Sequence, residues 1–379
     1  MITVDFLFCL TFQNAHLCRM LLENGLSQRT LVRLLSLSNK FAETRKYVVE
    51  NYVTLTIRDE QSYREAMQRF DSKRVRLFCA WTKTFDFCNV KQDLVEFECE
   101  YFNASIHTFG KLQRFKCNCF NQPISDFGQL KHFQSATFNQ PVVNFGQLTH
   151  FVCDSFNQPV SEFGNLKRFA CLRFNQPIIS FGQLKHFECS HFNQPISDFG
   201  QLRHFDCFQF NQPITDFGQL KHFQAYKFDR PVFDFGSLTH FQCASFNHAV
   251  STFGELEHFE CYDFNQPVTG FGRLKHFECA NFNQKVNDFG QLERFWCYYF
   301  NHPIADFGNL LDFRSGRFNQ PVANFGQLKA FRCGKFNQPV SNFGQLREFE
   351  CHDFNQPVSD FGQLKRFDCW SSKQSAAAF

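Results

Sequence analysis

Apolar residues in this chain recur on a frame of eighteen. Phe stands at 102, 120, 138 and every eighteenth residue to 354, which makes fifteen copies without an insertion or deletion. Numbered from that Phe, positions 8 and 14 are always Phe, 9 is always Gly, 11 always Leu and 5 always Ile or Val. A helix would need apolar residues on a 3.6-residue stripe, and the Pro at position 4 with the Gly at 9 would break it. Positions 11, 14 and 16 (Leu112, Phe115 and Cys117 in the first copy) end in alternation, which predicts a short strand with its Phe and Cys facing inward. Gly at 9 suits a bend that needs positive φ or close backbone approach, and Pro at 4 an extended return. Each copy therefore reads as one coil. A coil cannot bury its Phe alone, so coils stack and their strands align as a parallel sheet.

The predicted fold is a mainly β solenoid of fifteen 18-residue coils over 102–371, with a tail at 372–379. Position 2 is Asn in every copy except Asp229. It is expected to form an inward ladder whose amides satisfy backbone groups between adjacent coils. Ahead of the array, Leu17, Met20 and Leu21, then Leu31, Leu34 and Leu35, recur at helical spacing around a break at Gly25 and Ser27. Residues 53–57 and 75–79 read as strands with a short helix over 63–70 between them, and Leu94, Phe97 and Cys99 already sit in phase with the array. A small helical module at 1–60 is thus expected, then capping strands and a half-repeat at 61–101.

Composition refines this picture. The three Phe positions of the fifteen copies account for 45 of the 57 Phe among 379 residues. Of the 18 Cys, twelve occupy position 16, where Ser135, Ala225 and Ser315 substitute. Ser and Ala match Cys in size but not in its bridging chemistry, so a column of small, buried, reduced thiols is expected. Disulfides or zinc are the alternative, because stacked strands bring neighbouring thiols close. The three exceptions are ninety residues apart, as are Thr149 and Thr239, which suggests duplication of five-copy blocks. Net charge is +3 with no basic run, which argues against nucleic-acid binding. The apolar run Phe6–Phe12 lacks a basic flank and a cleavage site, and is too short to cross a bilayer. A soluble, cytoplasmic protein without membrane contact is expected.

Positions 13, 15 and 17 should point outward, and with 18 they vary most among copies. There Phe208, Tyr226, Tyr262, Trp296 and Tyr298 form an aromatic edge. Arg314, Arg317, Arg332 and Lys335 follow as a basic cluster, with Gly316 and Gly334 leaving a shallow gap beside them. This combination suits an acidic or phosphorylated peptide. Glu188, Asp206, Glu260 and Glu278 read as a separate acidic stretch farther up. His fills position 13 in eight copies, from His132 to His276, without a carboxylate or Cys converging on it as a ligand set, so neither a metal nor a cofactor is expected. No nucleophile elbow, phosphate loop or HExxH motif occurs, and a non-enzymatic role is expected.

The spacing L-x-x-F-x-C-x-x-F-N resembles that of leucine-rich repeats, and FNQP followed by Ile or Val resembles their FNIP subtype, over about 270 residues. The eighteen-residue coil leaves no room for a back helix. A straight or gently twisted solenoid is therefore expected in place of a curved one, with a triangular β-helix as the runner-up. Leu26 to Phe41 resembles the middle and end of an F-box, with Leu31, Leu34, Leu37, Ser38, Lys40 and Phe41 at matching places, although the usual Leu-Pro start is missing. That resemblance implies a substrate-recognition adaptor docked on the linker subunit of a cullin ubiquitin ligase. The alternatives are a plain interaction scaffold whose N-terminal helices only cap the solenoid, or an extracellular adhesin.

Overall fold

The structure is a computed structural model that describes residues 42–52, 55–57, 60–69, 74–77, 94–358 and 360–370. Leu31, Leu34, Leu37 and Phe41, the run Phe6–Phe12 and the tail 372–379 lie outside the described residues. The chain divides into two compact units, Met1–Leu172 and Arg173–Phe379, and each is a parallel β-solenoid.

The first unit opens with α1 (Ala42–Tyr52), β1 (Leu55–Ile57), α2 (Glu60–Arg69), β2 (Arg74–Leu77) and β3 (Glu96–Cys99). These strands continue the sheet of the solenoid. β1 pairs with β2, β2 with β3, and β3 with Arg114–Cys117, all parallel, so that Leu77, Cys99 and Cys117 fall in one line. Twenty residues separate Leu55 from its partner Val75, and that longer coil has room for α2. α1 packs on β2 and buries Val48 and Val49. Each later coil, in either unit, contributes one short strand at positions 13–16 and an extended return without a helix. No helix among the described residues is long and apolar enough to cross a membrane.

Register is set residue on residue, so Phe259 pairs with Phe277 and Cys243 with Cys261. The rings of successive position-14 residues stack offset, as in Phe259–Phe277 at 5.5 Å between centroids and 9° between planes. Phe253 and Phe264, from positions 8 and 1, meet Phe259 edge-on at 5.1 Å each. Both are the geometries that the ring quadrupole favours. Phe, Leu and the small position-16 residue are buried throughout this interior.

In several coils position 16 donates a hydrogen bond back into its own coil, whereas Cys243 Sγ donates to Cys261 Sγ in the next. Cys153 Sγ reaches the Phe138 carbonyl at 2.9 Å and Cys261 Sγ the Phe246 carbonyl at 3.1 Å. Ser135 and Ser315 make the same bond to Phe120 and Phe300, at 2.7 and 2.9 Å, which explains why Ser substitutes there. Burial pushes the Cys153 thiol up to about 12 and raises Cys207, Cys279 and Cys333 as well.

The turn comes at Gly. Gly236 has φ 54°, its N–H donates to Asp234 Oδ1 at 2.9 Å, and the Leu238 N–H closes the turn on the Phe235 carbonyl at 3.0 Å. A methyl group on Gly236 would meet no atom within 4 Å, so the requirement is the dihedral alone.

The Asn ladder runs between coils, but along the outer flank. In the first unit Asn121 Oδ1 accepts the Asn139 N–H at 2.8 Å and Gln140 Nε2 at 3.2 Å, while Asn139 and Asn157 are exposed. Position 2 comes directly after an inward Phe, so its side chain turns out and serves backbone that the strands leave unpaired. Asp229 keeps the acceptor role: Asn247 N–H donates to its Oδ1 at 3.4 Å.

Two substitutions separate packing from the thiol. Phe259→Ala is expected to cost about 3–5 kcal/mol, because it opens a cavity between two stacked rings. Cys261→Ser is expected to change stability by less than about 1 kcal/mol, because the hydroxyl keeps the donor. Urea unfolding monitored by far-UV dichroism compares the two directly.

Candidate functional site

Alternation along each strand turns positions 13 and 15 away from the interior, and 17 lies on the same side. In the second unit this face carries the residues of the expected aromatic edge. Phe208 and Tyr226 stack in parallel, 4.7 Å apart. Tyr226, Tyr262, Trp296 and Tyr298 are 47–60% exposed and share a pocket of about 460 Å³.

Two columns build that pocket. Down position 17 the residues alternate as Tyr226, Ala244, Tyr262, Ala280 and Tyr298, so each Ala leaves a slot between two tyrosines. Down position 15 run Gln224, Gln242, Glu260, Glu278 and Trp296. Glu260 and Glu278, expected in a separate acidic stretch, therefore line the same pocket as the rings, because parallel pairing sets Glu278 between Glu260 and Trp296. Gln242 Nε2 donates to Glu260 Oε1 at 3.0 Å. Burial, reinforced by the Glu260 charge and opposed by Arg314, pushes the Glu278 carboxyl up to about 7. A second cavity of about 170 Å³ lies on the other side of Glu278 and Trp296, against Arg294, Asp312 and Arg314.

The basic cluster adjoins this pocket, and its charges have partners within the chain. Arg314 reaches Asp312 through Nε at 3.2 Å and Nη2 at 2.8 Å. Arg332 pairs with Asp312 at 2.8 Å and also with Glu348, while Lys335 pairs with Asp353 at 2.8 Å. Arg317 stands over the Tyr299 ring at 5.6 Å. The expected gap beside Gly316 is filled, because a Cβ there would lie 2.4 Å from the Tyr298 ring. Gly316 thus seats Tyr298. The sequence reading missed the polar floor of Gln224 and Gln242, the two Ala slots and Tyr299. Reading position 17 down the column shows the Tyr/Ala alternation.

Position 13 adds a histidine stack. From His186 through His204, His222, His240 and His258 to His276, successive imidazoles lie 4.2–4.4 Å apart. In the first unit His132 and His150 do the same at 4.4 Å. Burial holds His204, His222, His240, His258 and His276 below the usual imidazole range, and neighbouring positive charges add to it. Among the described residues no three His, Cys, Asp or Glu side chains come together as a metal site.

This stack fixes the sign of a pH effect. An unfolded imidazole takes up its proton near pH 6.5, whereas the folded ladder resists protonation until lower pH. Below about pH 6.5 the unfolded chain therefore binds more protons, and stability is lost as pH falls toward the folded values. Melting temperature is expected to hold steady above about pH 7 and to decline toward pH 5.5, with a smaller decline in His240→Gln. An equal decline in that variant would assign the effect to other groups. No protein-family model matches this chain, and no curated protein matches it significantly.

Proposed function

We propose that this chain is a non-enzymatic protein-binding repeat protein whose contact surface is the outer strand face of residues 173–379. The observation that carries the reading is the division of labour within each coil. Positions that face inward are fixed, while positions 15, 17 and 18 differ from coil to coil and gather exposed rings around one pocket.

The finer reading makes the protein a cytoplasmic substrate-recognition adaptor, joined to the linker subunit of a cullin ubiquitin ligase through Leu31, Leu34, Leu37 and Phe41. The F-box resemblance of Leu26 to Phe41 supports it. So does the helix immediately C-terminal to that stretch: α1 begins at Ala42 and anchors itself to the first unit through Val48 and Val49. A docking module placed there would be tied to the array.

Two experiments address the two levels. Full-length protein used as bait is expected to lose its captured partners when Tyr262→Ala and Trp296→Ala are combined, at unchanged melting temperature; equal capture would contradict the strand-face reading. The same bait is expected to co-purify with the ligase linker subunit and to lose it in a Leu34→Asp, Leu37→Asp variant. Absence of the linker subunit would remove the ligase connection and leave a scaffold.

A further inference from the structure

The aromatic pocket contains two carboxylates and no cation that belongs to them. Glu260 is hydrogen-bonded only to neutral Gln242, and Glu278 has no salt bridge among the described residues. The nearest cation to influence Glu278, Arg314, is committed to Asp312 through two donors. Two adjacent carboxylates beside tyrosine and tryptophan rings, Glu278 half-buried and Glu260 exposed, repel each other. Both features are relieved by one kind of guest. A cation is attracted to ring faces within about 6 Å and pairs with carboxylates more strongly where water is scarce.

We propose that this pocket receives the basic side chains of an extended peptide segment from a protein partner, arginine foremost. The proposal rests on the strand-face reading above and names what that face takes. Arginine fits best because its planar guanidinium stacks on aromatic rings and meets carboxylates with paired donors. The two slots, over Ala244 and Ala280, lie two strands apart in the sheet, or roughly 9–10 Å. Each slot has a tyrosine on either side; Glu278 stands beside the Ala280 slot, while Gln242 stands beside the Ala244 slot with Glu260 one strand on. In an extended polyproline-type segment, residues three apart fall on one face at about 9 Å. Two arginines spaced Arg-x-x-Arg therefore match the two slots. The pocket volume of about 460 Å³ exceeds what one side chain fills, which agrees with a double occupancy. This charge pattern is opposite to the acidic or phosphorylated peptide that the sequence alone suggested.

The groups around Glu278 give the proposal a pH signature. Glu278 shares its outward face with His276 on its own strand, His258 and Glu260 on the preceding strand, and Arg294 and Trp296 on the next one. Asp312 and Arg314 stand one strand beyond. A carboxyl that is half-protonated near pH 7 binds a cation only after losing its proton. Affinity is therefore expected to fall as pH drops from 8 to 6. Protonation of His258 and His276 would act in the same direction, so the Glu278→Gln variant isolates the glutamate contribution.

The test uses full-length protein and a fluorescein-labelled ten-residue peptide of Gly, Ala and Pro carrying Arg-x-x-Arg, with binding read by anisotropy. Its control is the same peptide with citrulline, which keeps the shape and removes the charge. The arginine peptide is expected to bind at least tenfold more tightly than the citrulline peptide. It is expected to lose at least tenfold in the Glu260→Gln, Glu278→Gln double variant, with melting temperature unchanged or raised. Its decline in affinity from pH 8 to 6 is expected to shrink in Glu278→Gln. Equal binding of the citrulline peptide would overturn the proposal, as would undiminished binding by the double glutamine variant or no binding of the arginine peptide at all. If partner capture still depends on Tyr262 and Trp296 in those cases, the strand-face reading stands and only the cationic guest is lost.

Discussion

Parallel, in-register stacking places each residue beside its own counterpart in the next coil, about 4.8 Å away. The rest of each unit derives from that constraint, because a column survives only if its residue tolerates itself as a neighbour. Phe does so by offset stacking, and Cys by being small enough to stack buried, in several coils with its donor turned back into its own coil. Asn does so by giving its oxygen to the next coil's backbone, and His by staying neutral. Some charged residues do so by pairing with the opposite sign. Lys116 pairs with Glu98, and Lys275 with Glu257, each one coil away. Such exposed pairs add little stability individually, about 0–1 kcal/mol.

The candidate site is one place where this rule is broken, and Glu188 beside Asp206 is another. Glu260, exposed, and Glu278, half-buried, are neighbours of the same sign, and the chain supplies neither with a counter-ion among the described residues. Beside them, exposed tyrosines alternate with alanines where stacking gives no reason for either. Gly316 then holds Tyr298 in place, since any side chain there would displace the ring. The fixed frame provides rigidity, and the departures provide chemistry.

Much of the fold was legible because one physical demand is written fifteen times. The inward Phe, the small position-16 residue and the positive-φ Gly each arise from local chemistry that any single copy shows. The Asn ladder was legible as a ladder, but its side was not. An amide that serves backbone groups reads alike whether it faces in or out, and only the turn after Phe102 or Phe120 decides. β1 and β2 hid their membership because their spacing, Leu55 to Val75 to Phe97, departs from eighteen. The pocket was half legible. Reading along the chain separates Glu278 from Trp296 by a whole coil, whereas the sheet makes them adjacent. Likewise the space beside Gly316 looks open in sequence and is filled by a ring from the preceding coil.

The central claim is that the repeated column of thiols is locked inside a stack of coils. It is tested most directly by thiol titration of fully reduced, desalted protein. Twelve cysteines, from Cys99 to Cys351, are buried, while Cys119 and Cys369 are partly exposed. With an aromatic disulfide reagent at neutral pH, the twelve are expected to remain unreactive in the folded protein and to react fully in guanidinium. Reaction of the column in the folded protein, at the rate of an exposed thiol, would contradict the stack.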